Sequence, residues 1–226
     1  MTSPPPLQYD TFYHIYNRGI NGENIFIEER NYVHFLNLCE KYIEPVADVF
    51  AYCLLRNHFH VLVRIKTEQE TLKVFSKDIR YCKQKRLAIN CETLEKEFLE
   101  FWDEKLKYPS KKFSDFFNAY AKAINATYGR TGSLFQHPFG RVIVTGDMQF
   151  YRIVTYIHQN PQKHGFVDDF RDWKYSSYGV ILSDKPTHLK REDVMEWFGD
   201  AKKFQSHHAK WITEKESNIF SGDDFD

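Results

Sequence analysis

Residues 51–65 read AYCLLRNHFHVLVRI. The run is rich in Val, Leu, Ile and aromatic residues and is interrupted only at Arg56-Asn57. Residues 47–55 and 58–65 are therefore predicted to form two buried strands joined by a tight turn, an antiparallel hairpin. Side chains alternate across a strand, so His58 and His60 point the same way, about 6–7 Å apart along the backbone. Two neutral imidazoles on one rigid surface are half of a divalent metal site. An arbitrary His-x-His is ordinarily a pair of strand histidines on a partly wet face. The segments downstream turn the reading toward a metal.

Outward from the hairpin, residues 10–18 (DTFYHIYNR) alternate well enough for another strand. Phe12, His14 and Tyr16 share one face and Tyr13 and Ile15 the other. Residues 29–44 repeat apolar side chains at helical spacing, and Pro45 ends the helix. From about 68 to 127 the chain reads as helical and highly charged. Its basic run from Lys73 to Arg86 is read either as a solvated helix face or as a nucleic-acid contact. A charged helix at 92–112 ends in a Tyr108-Pro109-Ser110 break, and a second amphipathic helix spans 113–128. GRTGSLFQHPFG is a loop and RVIVT a further strand. A helix over 147–159 has Asp147 as its N-cap, and Pro161 follows its end.

The bulk properties narrow the class. With 31 basic and 31 acidic residues in 226, net charge is zero, which argues against coating duplex DNA by bulk electrostatics. A local basic groove is compatible with that balance. Four cysteines stand without a C-x-x-C pair, so neither a zinc cluster nor a redox motif is expected. The three-proline start makes residues 1–8 a loose, disordered tail, and the acidic end from about 214 a frayed one. No apolar run approaches 18 residues and the N-terminus has no signal-peptide pattern, so no membrane partner and a cytoplasmic location are expected.

Residues 150–160 read FYRIVTYIHQN. On a helix, Tyr156 shares a face with Asn160 and lies near Gln159. A phenol then sits beside an amide whose oxygen can coordinate a metal. Set against the histidine strand, it completes a site of two imidazoles and an amide with positions left open for a phosphate. A tyrosine nucleophile for phosphoryl transfer requires that arrangement. The ordinary alternative for Tyr156 is a core or capping tyrosine.

Five segments, YHIYNRG (13–19), AYCLLRNHFHVLVRI (51–65), YGRTGSLFQHPFGRV (128–142), YIHQNP (156–161) and WKYSSY (173–178), occur in the order found in one family. The chain resembles the single-tyrosine HUH transposases, particularly the REP-associated tyrosine transposases, over roughly residues 10–180. The resemblance implies an α+β fold, a ferredoxin-like (RRM-like) antiparallel sheet with helices on one side. It implies a domain at 9–185 and leaves 186–226 as a helical C-terminal extension with the acidic tail. His58 and His60 match the His-hydrophobic-His motif, Tyr156 the nucleophile and Asn160 the third metal ligand, with Gln159 as its rival. Arg18, Arg130 and Arg141 lie in or beside the matching loops and are expected to contact DNA. Mg²⁺ is the implied cofactor, with Mn²⁺ able to substitute. Single-stranded or hairpin DNA is the implied partner, and a homodimer is compatible with the pattern. The implied activity is single-stranded DNA cleavage and strand transfer through a 5′-phosphotyrosine.

Two departures stand out. Residues 85–112 look like an insertion, and His137-Pro138-Phe139 replaces a tripeptide that often carries Gly or Lys with Arg before the aromatic. The altered loop and zero net charge suit a rival reading, a domesticated hairpin-binding regulator of the same fold. A metallohydrolase unrelated to DNA would be expected to place more carboxylates near the histidines.

Overall fold

The computed structural model describes residues 5–71, 73–74 and 108–210. Four strands, β1 (Phe12–Arg18), β2 (Ala47–Leu54), β3 (His58–Ile65) and β4 (Gly140–Val144), form one sheet in the order β2-β3-β1-β4. Every neighbouring pair is antiparallel. The predicted hairpin is present: Leu55 N–H donates to the His58 carbonyl across the Arg56-Asn57 turn. The Arg56 carbonyl in turn accepts from Ile25 and Phe26 N–H. The fold is α+β, as the resemblance implied.

The helices α1 (Glu29–Tyr42) and α2 (Tyr108–Tyr128) pack on one face through aromatic contacts. Phe35 and Phe117 rings lie 5.0 and 5.7 Å from Phe59, which points away from the imidazoles. The helix α3 (Asp147–Lys163) crosses the opposite face, with Phe150 5.8 Å from Phe12. Helices therefore cover both faces, not the single side implied by the resemblance. Three short helices follow: α4 (Ser177–Ile181), α5 (Arg191–Phe198) and α6 (Ala201–His208). Val194, Phe198 and Phe204 join the same core as the sheet.

Local expectations are corrected at three places. Within the start of the chain Leu7 is docked, not loose: it is fully buried and its N–H donates to Ser110 Oγ at 2.8 Å. Tyr108-Pro109-Ser110 is not a break: all three residues lie within α2, whose described part begins at Tyr108. Gly146, not Asp147, caps α3, and the helix runs on through Pro161 to Lys163. The Gly146 position has φ 79°, which glycine accepts without strain. Most of the basic run after Lys73, most of the insertion read at 85–112 and the acidic tail lie outside the described residues. Among the described residues, no helix is long and apolar enough to cross a membrane.

Candidate active site

His58 and His60 sit side by side on the face covered by α3, with ring centroids 5.2 Å apart and planes at 90°. Both are buried. The Nδ1 of His58 lies 2.8 Å from Asn57 Oδ1, and the Nδ1 of His60 lies 2.9 Å from His14 Nε2. His14 reaches His60 because its strand partner is Leu62, two residues along the same face. Tyr16 faces His60 directly in the register, and the missing side chain at Gly140 leaves room for its ring.

The α3 helix brings the phenol and the amide to this surface. The ring of Tyr156 lies 5.5 Å from His60 and 6.0 Å from His14. Asn160 is completely buried and donates through Nδ2 to the Tyr156 carbonyl at 2.8 Å. A carbonyl only accepts, so that bond identifies the amide nitrogen and leaves Oδ1 as the acceptor. That oxygen is buried with no hydrogen-bond partner, and so is Nε2 of His60. Two unsatisfied buried polar atoms in one native site call for an explanation. Both carry lone pairs suited to a hard or borderline cation.

Burial pushes the His58 imidazole down to about 3, helped by the neighbouring His164 and the Arg18 charge. Burial also holds His60 well below its ordinary value, with His14 and His58 adding to the effect. Both rings are therefore neutral at pH 7, the form that ligates a metal. Among the described residues no trio of His, Cys, Asp or Glu is grouped to hold a metal ion. His58, His60 and the Asn160 carboxamide are the groups on this face whose donor atoms could hold one.

Gln159 is not on this face. Its Nε2 donates to the carbonyls of His208 and Lys210, at 3.0 and 2.9 Å. Three other phenols near the sheet and its helices are engaged elsewhere. Tyr151 donates to the Trp197 carbonyl and Tyr120 to the Ile25 carbonyl, while Tyr128 bonds Glu28.

Three neighbours escaped the sequence reading. They are His14, Lys163, whose Nζ lies 5.6 Å from the Tyr156 ring centre, and His164, 4.9 Å from His58 between ring centres. Tyr156, Asn160, Lys163 and His164 stand at i, i+4, i+7 and i+8, a spacing that marks one helix face. That spacing could have found the last two.

The arginines separate. Arg18 pairs with His58 across β1 and β3, on the imidazole face. Arg141 pairs with Ile15, on the opposite face, and stacks over Phe139 at 4.0 Å. Arg130 forms an ion pair with Glu23. Each arginine nevertheless keeps one buried guanidinium nitrogen without a hydrogen-bond partner.

No protein-family model matches the chain. Over 140 residues it is 26% identical to a Haemophilus influenzae protein named "Putative REP-associated tyrosine transposase", covering 62% of each chain. The match thus spans less than two thirds of that relative's length. A solved REP-associated tyrosine transposase bound to a REP hairpin superposes with a TM-score of 0.53 at 13% identity. That superposition covers 82% of this chain and 88% of the other. In fold, and detectably in sequence, the chain resembles the REP-associated tyrosine transposases.

Proposed function

We propose that this chain is a metal-dependent single-stranded DNA endonuclease and strand transferase with Tyr156 as nucleophile. The observation that carries the reading is the pair of unsatisfied buried atoms, His60 Nε2 and Asn160 Oδ1, on the residues that flank Tyr156. A structural tyrosine in a closed core has no use for either.

His58, His60 and Asn160 would hold Mg²⁺, or Mn²⁺ in its place, and the bound ion would supply positive charge to the scissile phosphate. The phenol oxygen of Tyr156 attacks phosphorus, and the bond from phosphorus to the 3′-oxygen breaks. The products are a 5′-phosphotyrosine and a strand ending in a 3′-hydroxyl. The phenol proton leaves to water, and the departing 3′-oxygen takes one from water. Attack by a 3′-hydroxyl on the phosphotyrosine reverses the step and joins strands. Lys163 places a cation over the Tyr156 ring, close to where the scissile phosphate would lie. Arg18, on the same face as His58, is the group suited to a phosphate at the site. Arg141 lies on the other face, so its proposed contact is with a hairpin stem, and Arg130 would have to exchange Glu23 for a phosphate.

The substrate proposed is a hairpin with a single-stranded flank, by analogy with the solved relative bound to a REP hairpin. The test is incubation of 5′- and 3′-labelled hairpin oligonucleotides with Mn²⁺ and separation on a denaturing gel. Wild type should yield a covalent adduct, and Tyr156→Phe should bind the hairpin without forming one. Hairpin binding by wild type with no cleavage would favour the regulatory reading. An adduct that survives in Tyr156→Phe would dismiss Tyr156 as the nucleophile.

A further inference from the structure

His14 is fully buried at the centre of the site, and the scheme above gives it no task. Its ring lies nearly parallel to that of His60, with centroids 5.1 Å apart and planes at 19°, and its Nε2 lies 2.9 Å from His60 Nδ1. A neutral imidazole carries one N–H, so one of the two facing nitrogens donates and the other accepts. The other nitrogen of His60, Nε2, is buried and has no hydrogen-bond partner. If His60 carried its proton there, a buried N–H would point at no acceptor, the rarest and costliest kind of orphan. With the proton on Nδ1, that N–H donates to His14 Nε2, and the His60 Nε2 lone pair is aimed into the site.

We propose that His14 is a positioning residue: it accepts the Nδ1 proton of His60 and so fixes the tautomer and ring orientation that present His60 Nε2 to a divalent cation. Asn57 Oδ1 does the corresponding service for His58, since an amide oxygen 2.8 Å from Nδ1 requires the proton on that nitrogen. The two ligand rings are thus oriented by two different acceptors, one from the turn and one from the neighbouring strand. Metal-bound histidines usually donate their second N–H to such a partner, and its loss typically costs about 10–100-fold in metal affinity.

The inference rests on the metal reading of the Tyr156 site, and the experiment separates the two. Nitrogen-15 imidazole spectra of the metal-free wild type, with His60 assigned by loss of its signals in His60→Gln, read the tautomer directly. Mn²⁺ titration by calorimetry then compares wild type, His14→Phe and His14→Gln. Phenylalanine keeps an aromatic ring in the place of the imidazole and removes the acceptor, whereas glutamine can return an oxygen to the place of Nε2. The expected results are an Nδ1–H tautomer at His60, a roughly 10–100-fold loss of Mn²⁺ affinity in His14→Phe, and substantial recovery in His14→Gln. An Nε2–H tautomer at His60, measured on the wild type, overturns the proposal even if neither variant folds. So does undiminished Mn²⁺ affinity in a folded His14→Phe. A wild type that binds no Mn²⁺ at all overturns the metal site itself, and with it the service assigned to His14.

Discussion

Acid should loosen the fold through His208, and the size of the effect can be worked from one hydrogen-bond chain. The Phe204 carbonyl can only accept, so the Nδ1 of His208, 2.8 Å away, carries a proton. Its Nε2 then accepts from His158 Nδ1 at 2.7 Å, and His158 Nε2 accepts from the Ser177 hydroxyl at 2.7 Å. The Ser177 oxygen accepts from Tyr52 N–H at 2.8 Å. The chain ties β2 and α4 to α6 through α3, the helix that carries Tyr156. A second proton on His208 would set two donors against each other. Burial pushes His208 down to about 4, although its bond to the Phe204 carbonyl works the other way.

The folded value lies below the ordinary one of about 6.5, so this contribution is complete above pH 6.5 and is lost as pH falls toward 4. At pH 5.0 the unfolded chain is almost fully protonated at His208 and the folded chain only to about one part in ten, a loss of about 2 kcal/mol. Urea unfolding followed by circular dichroism at pH 7.5 and 5.0 measures it, with His208→Gln as the comparison. Glutamine keeps an acceptor for His158 but does not titrate. The variant should start about 1 kcal/mol less stable at pH 7.5, from the lost bond to Phe204. Its further loss at pH 5.0 should be smaller than the wild-type loss by about 2 kcal/mol. The other buried histidines titrate in both proteins and largely cancel. Equal losses in the two proteins would refute the assignment.

Two more outcomes follow from the geometry. A Cβ at Gly140 would lie 2.1 Å from the Tyr16 ring, so Gly140→Ala must displace a ring packed on His14 and His60. It should lower stability by about 1–3 kcal/mol in thermal melts and shift the His60 ring resonances, and a variant as stable as wild type would count against that packing. Arg18→Gln should weaken hairpin binding and reduce the slope of log affinity against log salt by about 1, because one phosphate contact is lost. An unchanged slope would remove Arg18 from the DNA interface.

The strand at 12–18 was legible from alternation and those at 47–54, 58–65 and 140–144 from short apolar runs bounded by turns or loops, both local properties of extended backbone. The shared face of His58 and His60 follows from the same two-residue period, and that of Tyr156 and Asn160 from the helical one. Local rules failed where distant atoms supply the energy. Proline ordinarily stops a helix, yet Asn160 and Pro161 are both buried in α3, and Asn160 also bonds the Tyr156 carbonyl. Leu7 belongs to a proline-rich start that reads as loose, and its burial depends on α2, whose Ser110 lies 103 residues away.

By itself the sequence determined that this chain forms an antiparallel hairpin with two imidazoles on one side, and an amphipathic helix with a phenol and an amide on one side. Both statements need only the repeat of the backbone. Only the tertiary structure decided which polar atoms the site leaves unsatisfied and which group orients each ring. His14 meets His60 because β1 lies beside β3 in the sheet order, a pairing across 46 residues that no local period encodes. Gln159 turns away from the site to donate to two carbonyls, those of His208 at the end of α6 and of Lys210 just beyond it, and Arg141 falls on the far face because it stands opposite Ile15. Periodicity assigns a side chain to a face, but its partner is set by which elements the fold packs together.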